Sequence, residues 1–321
     1  METKRVLAIF ILVMIMGFSF LATAGDLQPS AAPAPTMKTL NEIEPRTAIS
    51  ASDLPLTITE PGSYYLIEDV NFTDDVNNAI TIECDDVTID LTGYTIKGPD
   101  SGTTSGIYMS GRSGVEILNG TIRDFGNPAI REASSNGKSH RIINVRLISN
   151  GGGVFLDGYG HLVKDCTAAE NSDRGISADF GCTLIGNTCY HNNNYGIETS
   201  AGSTVTGNTC YNNYGTNVHG ISTGSGNTLA GNTCYMNQRN GINSGTGCTL
   251  TGNTCYDNGN HGIFANSGST VTNNTTRNNG VNGINTLGNC LIDQNTAYNN
   301  TGTNLVPGAG SVTGVNCAPA P

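Results

Sequence analysis

The chain has 321 residues and a formal net charge of −11, yet only 13% of it is charged, with 42 Gly and no Trp. An acidic chain without a Lys/Arg stripe excludes nucleic acid as a partner, because phosphate contacts need clustered cations. The length admits two domains, but one repeat runs through most of it and argues for a single elongated one.

Residues 1–24 read as a secretory signal peptide. Lys4 and Arg5 precede the apolar run from Val6 to Phe20, and Ala22-Thr23-Ala24 supplies small residues for cleavage before Gly25. An uncleaved anchor is the alternative, but the run falls short of the roughly 20 residues a span needs. The expected location is therefore periplasmic, cell-surface or secreted, with no membrane association after cleavage. Residues 25–52 are Ala- and Pro-rich, as in 30-SAAPAP-35, and read as a linker. Residues 53–79 have strand-like composition without the repeat and are expected to cap the open end of the periodic region.

From Ile80 to Leu305 the sequence is periodic. Asn-Thr-Cys recurs at Asn187, Asn208, Asn232 and Asn253, followed by Asn-Thr-Thr at Asn274 and Asn-Thr-Ala at Asn295, with spacings of 21, 24, 21, 21 and 21 residues. In register, three columns are apolar. One runs Ile142, Val163, Leu184, Val205, Leu229, Leu250, Val271 and Ile292; a second runs Leu147, Ala168, Cys189, Cys210, Cys234, Cys255, Thr276 and Ala297. The third runs from Ile107 through Ile130, Val154, Ile176 and Ile197 to Leu305 and follows a Gly in most units. Three apolar positions on segments of three to five residues cannot be helices, since an average helix alone takes about 11 to 12 residues. They predict three strands per turn, each pairing in parallel with its copy about 4.8 Å away. The fold class is all-β: a parallel β-helix of about ten rungs, each of 21–24 residues. Asn columns at Asn187 and at Asn192, with their copies, fall where the coil turns, because Asn tolerates left-handed backbone and stacked amides can bond from rung to rung. Residues 306–321 read as a C-terminal tail.

The motif hydrophobe-x-x-Asn-x-small-x-x-Asn-x-x-x-Gly-Ile, as in 183-TLIGNTCYHNNNYGI-197, resembles the right-handed parallel β-helix proteins of the pectin lyase-like superfamily. It is similar to their carbohydrate-binding and sugar-hydrolase class and to the periplasmic β-helix type associated with copper delivery. The resemblance implies the fold over Ile80 to the C-terminus, and a polysaccharide as partner. It also implies that loops before the Gly-Ile strand wall a groove; longer ones stand at 97–105, 123–129 and 213–221. That superfamily's paired-Asp hydrolase and Asp-Pro-His-Glu epimerase signatures are both absent from this sequence.

Ten Cys in an exported chain would ordinarily suggest disulfides. Here Cys189, Cys210, Cys234 and Cys255 share one inward column, their Cβ atoms about 4.8 Å apart against the 3.5–4.5 Å that a bond requires, so a buried thiol ladder is expected. Four thiolates in a line cannot surround a tetrahedral zinc. Cys182, Cys248 and Cys290 fall in another column, and Cys290 and Cys317 are near enough in sequence to pair.

Outward positions on the Gly-Ile strand gather Arg131, Phe155, Asp157, Asp179 and Glu198, with Arg174, Tyr195 and His219 just before the Gly. At the rung spacing they cover about 20 Å of one face. For hydrolysis of an acidic polysaccharide Asp179 and Glu198 are the acid and base. For β-elimination Arg174 or Arg131 would pair with a uronate, His219 or Glu198 would take the proton, and Asp157 with Asp179 can hold Ca²⁺. The alternative is that these are solvated residues in local ion pairs on a noncatalytic surface or periplasmic scaffold. A copper role finds no support, since His161, His191, His219 and His261 fall on different faces. Tyr190, Tyr211, Tyr235 and Tyr256 form a further outward column, readable either as a stabilising ring stack or as a sugar-binding strip.

Overall fold

A computed structural model describes residues 46–319, so the segment 1–24 read as a signal peptide and the start of the Ala/Pro-rich segment lie outside the described residues. Within them the chain is a parallel β-solenoid of three short strands per turn. The single helical element among the described residues is the 3-10 turn Ala51–Asp53. One sheet stacks twelve copies of the Gly-Ile strand, from Leu56–Ile58 through Ile80–Ile82 to Leu305–Val306, more than the ten rungs expected. The other two strand columns form one 22-stranded sheet, because Glu116–Arg123 and Arg141–Ile148 run through both without a break.

Pairing follows the sequence columns residue for residue: Ile176 faces Ile197, Leu184 faces Val205, and Cys189 faces Cys210. All of these side chains are fully buried. Each contributes up to about 1.5–3 kcal/mol for a large apolar group, so every turn adds its own increment of core. Strand pairing begins before the periodic region, where Thr47–Ile49 pairs with Gly62–Leu66, and continues past it, where Val312–Thr313 pairs with Leu291–Asp293.

Both Asn columns are buried ladders. Asn187 donates its backbone N–H and its Nδ2 to Oδ1 of Asn208, both at 2.9 Å, and Nδ2 also reaches the Val163 carbonyl. Asn192 repeats this toward Asn213 and Ala168. Left-handed backbone, however, falls one residue earlier than expected. It is taken by Gly186 and Gly207 before the first column and by His191, Asn212, Met236 and Asp257 before the second. That preceding residue makes the bend, leaving the Asn side chain to point inward and close the ladder. The Gly of Gly-Ile has a separate cause: a Cβ on Gly196 would lie 2.7 Å from the Gly220 carbonyl and 2.9 Å from the Asn213 amide.

All ten Cys are free. Cys189, Cys210, Cys234 and Cys255 are buried on successive rungs, and burial pushes the Cys210 and Cys255 thiols well up, holding them protonated. Cys290 and Cys317 do not pair. Cys290 lies at the turn where its N–H meets Ser311, whereas Cys317 sits exposed beside Thr296, on a different part of the turn.

Candidate functional site

Alternation along the Gly-Ile strand turns every second residue outward, so Tyr108, Arg131, Phe155, Ser177, Glu198 and Ser222 form one half-buried row. Three neighbouring rungs, Ile176–Phe180, Ile197–Thr199 and Ile221–Thr223, enclose a depression of about 290 Å³. Asp179 and Glu198 both line it, with the hydroxyls of Ser177, Thr199, Ser200, Ser222 and Thr223 around them. The buried Thr223 hydroxyl has no hydrogen-bond partner among the described residues.

The two carboxylates differ in environment. Burial raises Glu198 above the usual carboxylate range, while Arg174, whose Nε lies 2.6 Å from Glu198 Oε2, works against the rise and the charges of Asp173 and Asp179 add to it. The Arg174 guanidinium also lies over the Phe155 ring at 5.8 Å. Asp179 accepts the Gly158 N–H on one oxygen and the Ser200 hydroxyl on the other, each at 3.2 Å. Asp157, one rung away, is raised by burial and then by the Asp179 charge, with Arg131 offsetting part of this.

Other residues singled out in the sequence are placed differently. Asp157 and Asp179 are close enough to repel, but among the described residues no group of three His, Cys, Asp or Glu is placed to hold a metal ion. His219 is buried and stacks on Tyr195 at 5.5 Å. Its Nδ1 accepts the Asn240 N–H, so in the neutral ring Nε2 carries the proton and no free lone pair remains for a base. Burial, aided by Arg239, pushes its pKa down to about 4. His261 lies two rungs on in the same column, whereas His161 and His191 sit on other parts of the turn. Tyr190, Tyr211, Tyr235 and Tyr256 belong to the other sheet, away from the carboxylates. Their rings stack at 5.0, 4.8 and 4.9 Å and Arg277 caps the row at 4.3 Å from Tyr256, so the faces within the row cover one another.

Sequence reasoning missed one constellation. Glu132 is fully buried at an inward position that Met109 and Leu156 fill with apolar groups on neighbouring rungs. It accepts the N–H groups of Gly111, Arg112 and Ser134 and the Nε2–H of His140, whose ring stacks on His161 at 4.9 Å. A carboxylate breaking an apolar column was the signal available.

Two overlapping segments, residues 58–204 and 152–302, match the family model described as a right handed beta helix region. No curated protein sequence matches the chain. Among solved structures, the A-module of the Azotobacter vinelandii mannuronan C-5 epimerase AlgE6 is similar at a TM-score of 0.61 and 14% identity, over 84% of this chain and 89% of that one. A double mutant of the periplasmic alginate epimerase AlgG gives 0.57 and 15%, over 84% and 83%. The catalytic unit of an alpha-1,3-glucanase from Streptomyces thermodiastaticus gives 0.56 and 14%, over 90% and 70%. At these identities the likeness is one of fold. Among the described residues no helix is long and apolar enough to cross a membrane.

Proposed function

The chain belongs to the right-handed β-helix family, and from that premise we propose that it is an exported protein that binds a polysaccharide along the outward face of the Gly-Ile sheet and hydrolyses it with Glu198 and Asp179. One observation carries this reading: two carboxylates share one hydroxyl-lined depression and are held in different environments. Glycoside hydrolysis needs that asymmetry, one group giving a proton to the leaving oxygen and the other staying charged as base or nucleophile. Glu198, raised by burial, is the acid. Asp179, held by an N–H and an O–H donor, is its partner. The similar structures include proteins named for alginate and for alpha-1,3-glucan, which supports a polysaccharide as the partner.

The parts of an elimination are committed elsewhere. Arg174 is tied to Glu198 and Phe155, Arg131 faces Asp157, and His219 has given its lone pair to the backbone. A depression of carboxylates and hydroxyls repels a uronate, so the substrate class is a neutral polysaccharide. A second reading, a binding face without catalysis, is favoured by the 2.6 Å pairing of Glu198 with Arg174, which opposes the rise that burial causes. Measuring new reducing ends from a panel of neutral and uronic polysaccharides separates the two. Release from a neutral polymer supports hydrolysis; retention of a polymer without release leaves the binding face.

A further inference from the structure

Successive Gly-Ile positions lie 21 residues apart at Ile176, Ile197, Ile221, Ile242, Ile263 and Ile284, except for one step of 24 between Ile197 and Ile221. The three extra residues fall in 213–221, ahead of the strand Ile221–Thr223 that forms one wall of the carboxylate depression. They do not fold back over the core. Tyr214 at the start of the insertion is 50% exposed, and Met236 on the next rung is 51% exposed. With His191, Asn212, Asn213 and Gln238 they line a separate open hollow of about 480 Å³.

The chemistry of that hollow is specific. Asn213 is locked in the buried ladder and serves as floor. The side-chain amides of Asn212 and Gln238 make no hydrogen bond within the protein among the described residues, and each offers two donors and an acceptor. The phenol ring and the thioether supply adaptable apolar faces beside them. No Asp, Glu, Lys or Arg lines the hollow. An uncharged site with apolar faces and free amides suits a sugar ring, which carries C–H faces and hydroxyls but no charge. Unlike the self-stacked row of Tyr190 to Tyr256, the Tyr214 ring has no aromatic neighbour among the described residues, so its face is open.

We propose that the shelf formed by Tyr214, Met236, Asn212 and Gln238 is a second binding subsite for a neutral polysaccharide. This rests on the reading of Asp179 and Glu198 as a polysaccharide site. Asn212 to Tyr214 of the hollow and Ser222 to Gly224 of the depression belong to the same turn of the coil, with residues 215–221 between them.

Affinity electrophoresis of the processed protein through gels containing soluble starch, laminarin, dextran, xylan or galactomannan tests this. The expected result is retardation of the wild type by at least one polymer. Retardation persists in Glu198→Gln, which keeps the shelf, and weakens by about tenfold in apparent Kd in Tyr214→Ala and in Gln238→Ala. A deletion of Tyr214, Gly215 and Thr216, which restores the 21-residue step, weakens it likewise, and the circular dichroism of each variant reports folding. If Tyr214→Ala and Gln238→Ala bind as the wild type does while Glu198→Gln loses reducing-end release, the shelf is overturned and the catalytic reading stands. If no polymer retards the wild type, both fall.

Discussion

Oε2 of Glu132 lies 3.2 Å from Nε2 of His140, and neither side chain is exposed to solvent. Nδ1 of His140 accepts the Val115 N–H, so Nε2 carries the proton and donates it to the carboxylate. The charge is therefore stabilised by one ring N–H and three backbone N–H groups, which together hold Glu132 below its usual range despite burial.

Removing that carboxylate strands four donors. At about 1–3 kcal/mol for each buried unsatisfied group, Glu132→Ala is expected to lose roughly 4 kcal/mol or more, and Glu132→Gln distinctly less because one amide oxygen still accepts. Urea unfolding midpoints measure both. Equal loss in the two variants would show that volume and not hydrogen bonding governs the position.

Stability should fall as pH drops from about 6.5 to about 4. Burial lowers His161 and His219 from 6.5 to about 4. Within that window the unfolded chain binds protons that the folded chain refuses, so the contribution is complete above about 6.5 and is lost toward 4. Each ring accounts for on the order of 3 kcal/mol if the whole shift operates. Asn240 already accepts the His261 N–H in the same column, so His219→Asn keeps the ladder bond and should flatten the pH dependence. An unchanged slope of unfolding midpoint against pH would contradict this.

The Asn ladders predict a gradient of cost along the rod. Asn232→Ala removes the acceptor of both the Asn208 N–H and its side-chain amide in a fully buried turn, and should cost about 2–5 kcal/mol. Asn316→Ala removes the same acceptor from Asn295 at a half-buried end and should cost clearly less. Thermal unfolding of the two variants decides it, and equal losses would argue against the ladder as the cause.

With ten free Cys, reductant should leave the melting temperature unchanged. A thiol reagent should titrate Cys317 quickly and Cys84 more slowly in the native protein, and all ten only after denaturation. Fewer than ten in the denatured, unreduced protein would reveal a disulfide.

Much of this was legible because each residue's main neighbour is its own copy one turn later. Ile176 facing Ile197 and Cys189 facing Cys210 follow from the 21-residue spacing alone. The bend residue was less legible: both it and the Asn tolerate left-handed backbone, and only the inward ladder decides that His191 turns while Asn192 points in. Glu132 stands in a column with Met109 and Leu156 that the spacing does mark, but that His140, just before the next strand of the turn, meets it inside the coil is not encoded in the spacing. The Tyr column was visible, but whether its rings face solvent or each other depends on side-chain rotation that spacing does not encode.

Whether Glu198 and Asp179 act as a pair on a neutral polysaccharide is decided by reducing-end release from the polymer that the wild type binds. Glu198→Gln and Asp179→Asn are each expected to lower that release by about 10²- to 10⁴-fold while the polymer is still bound. Release by both variants at the wild-type rate, or release confined to uronic polymers, would rule the pair out.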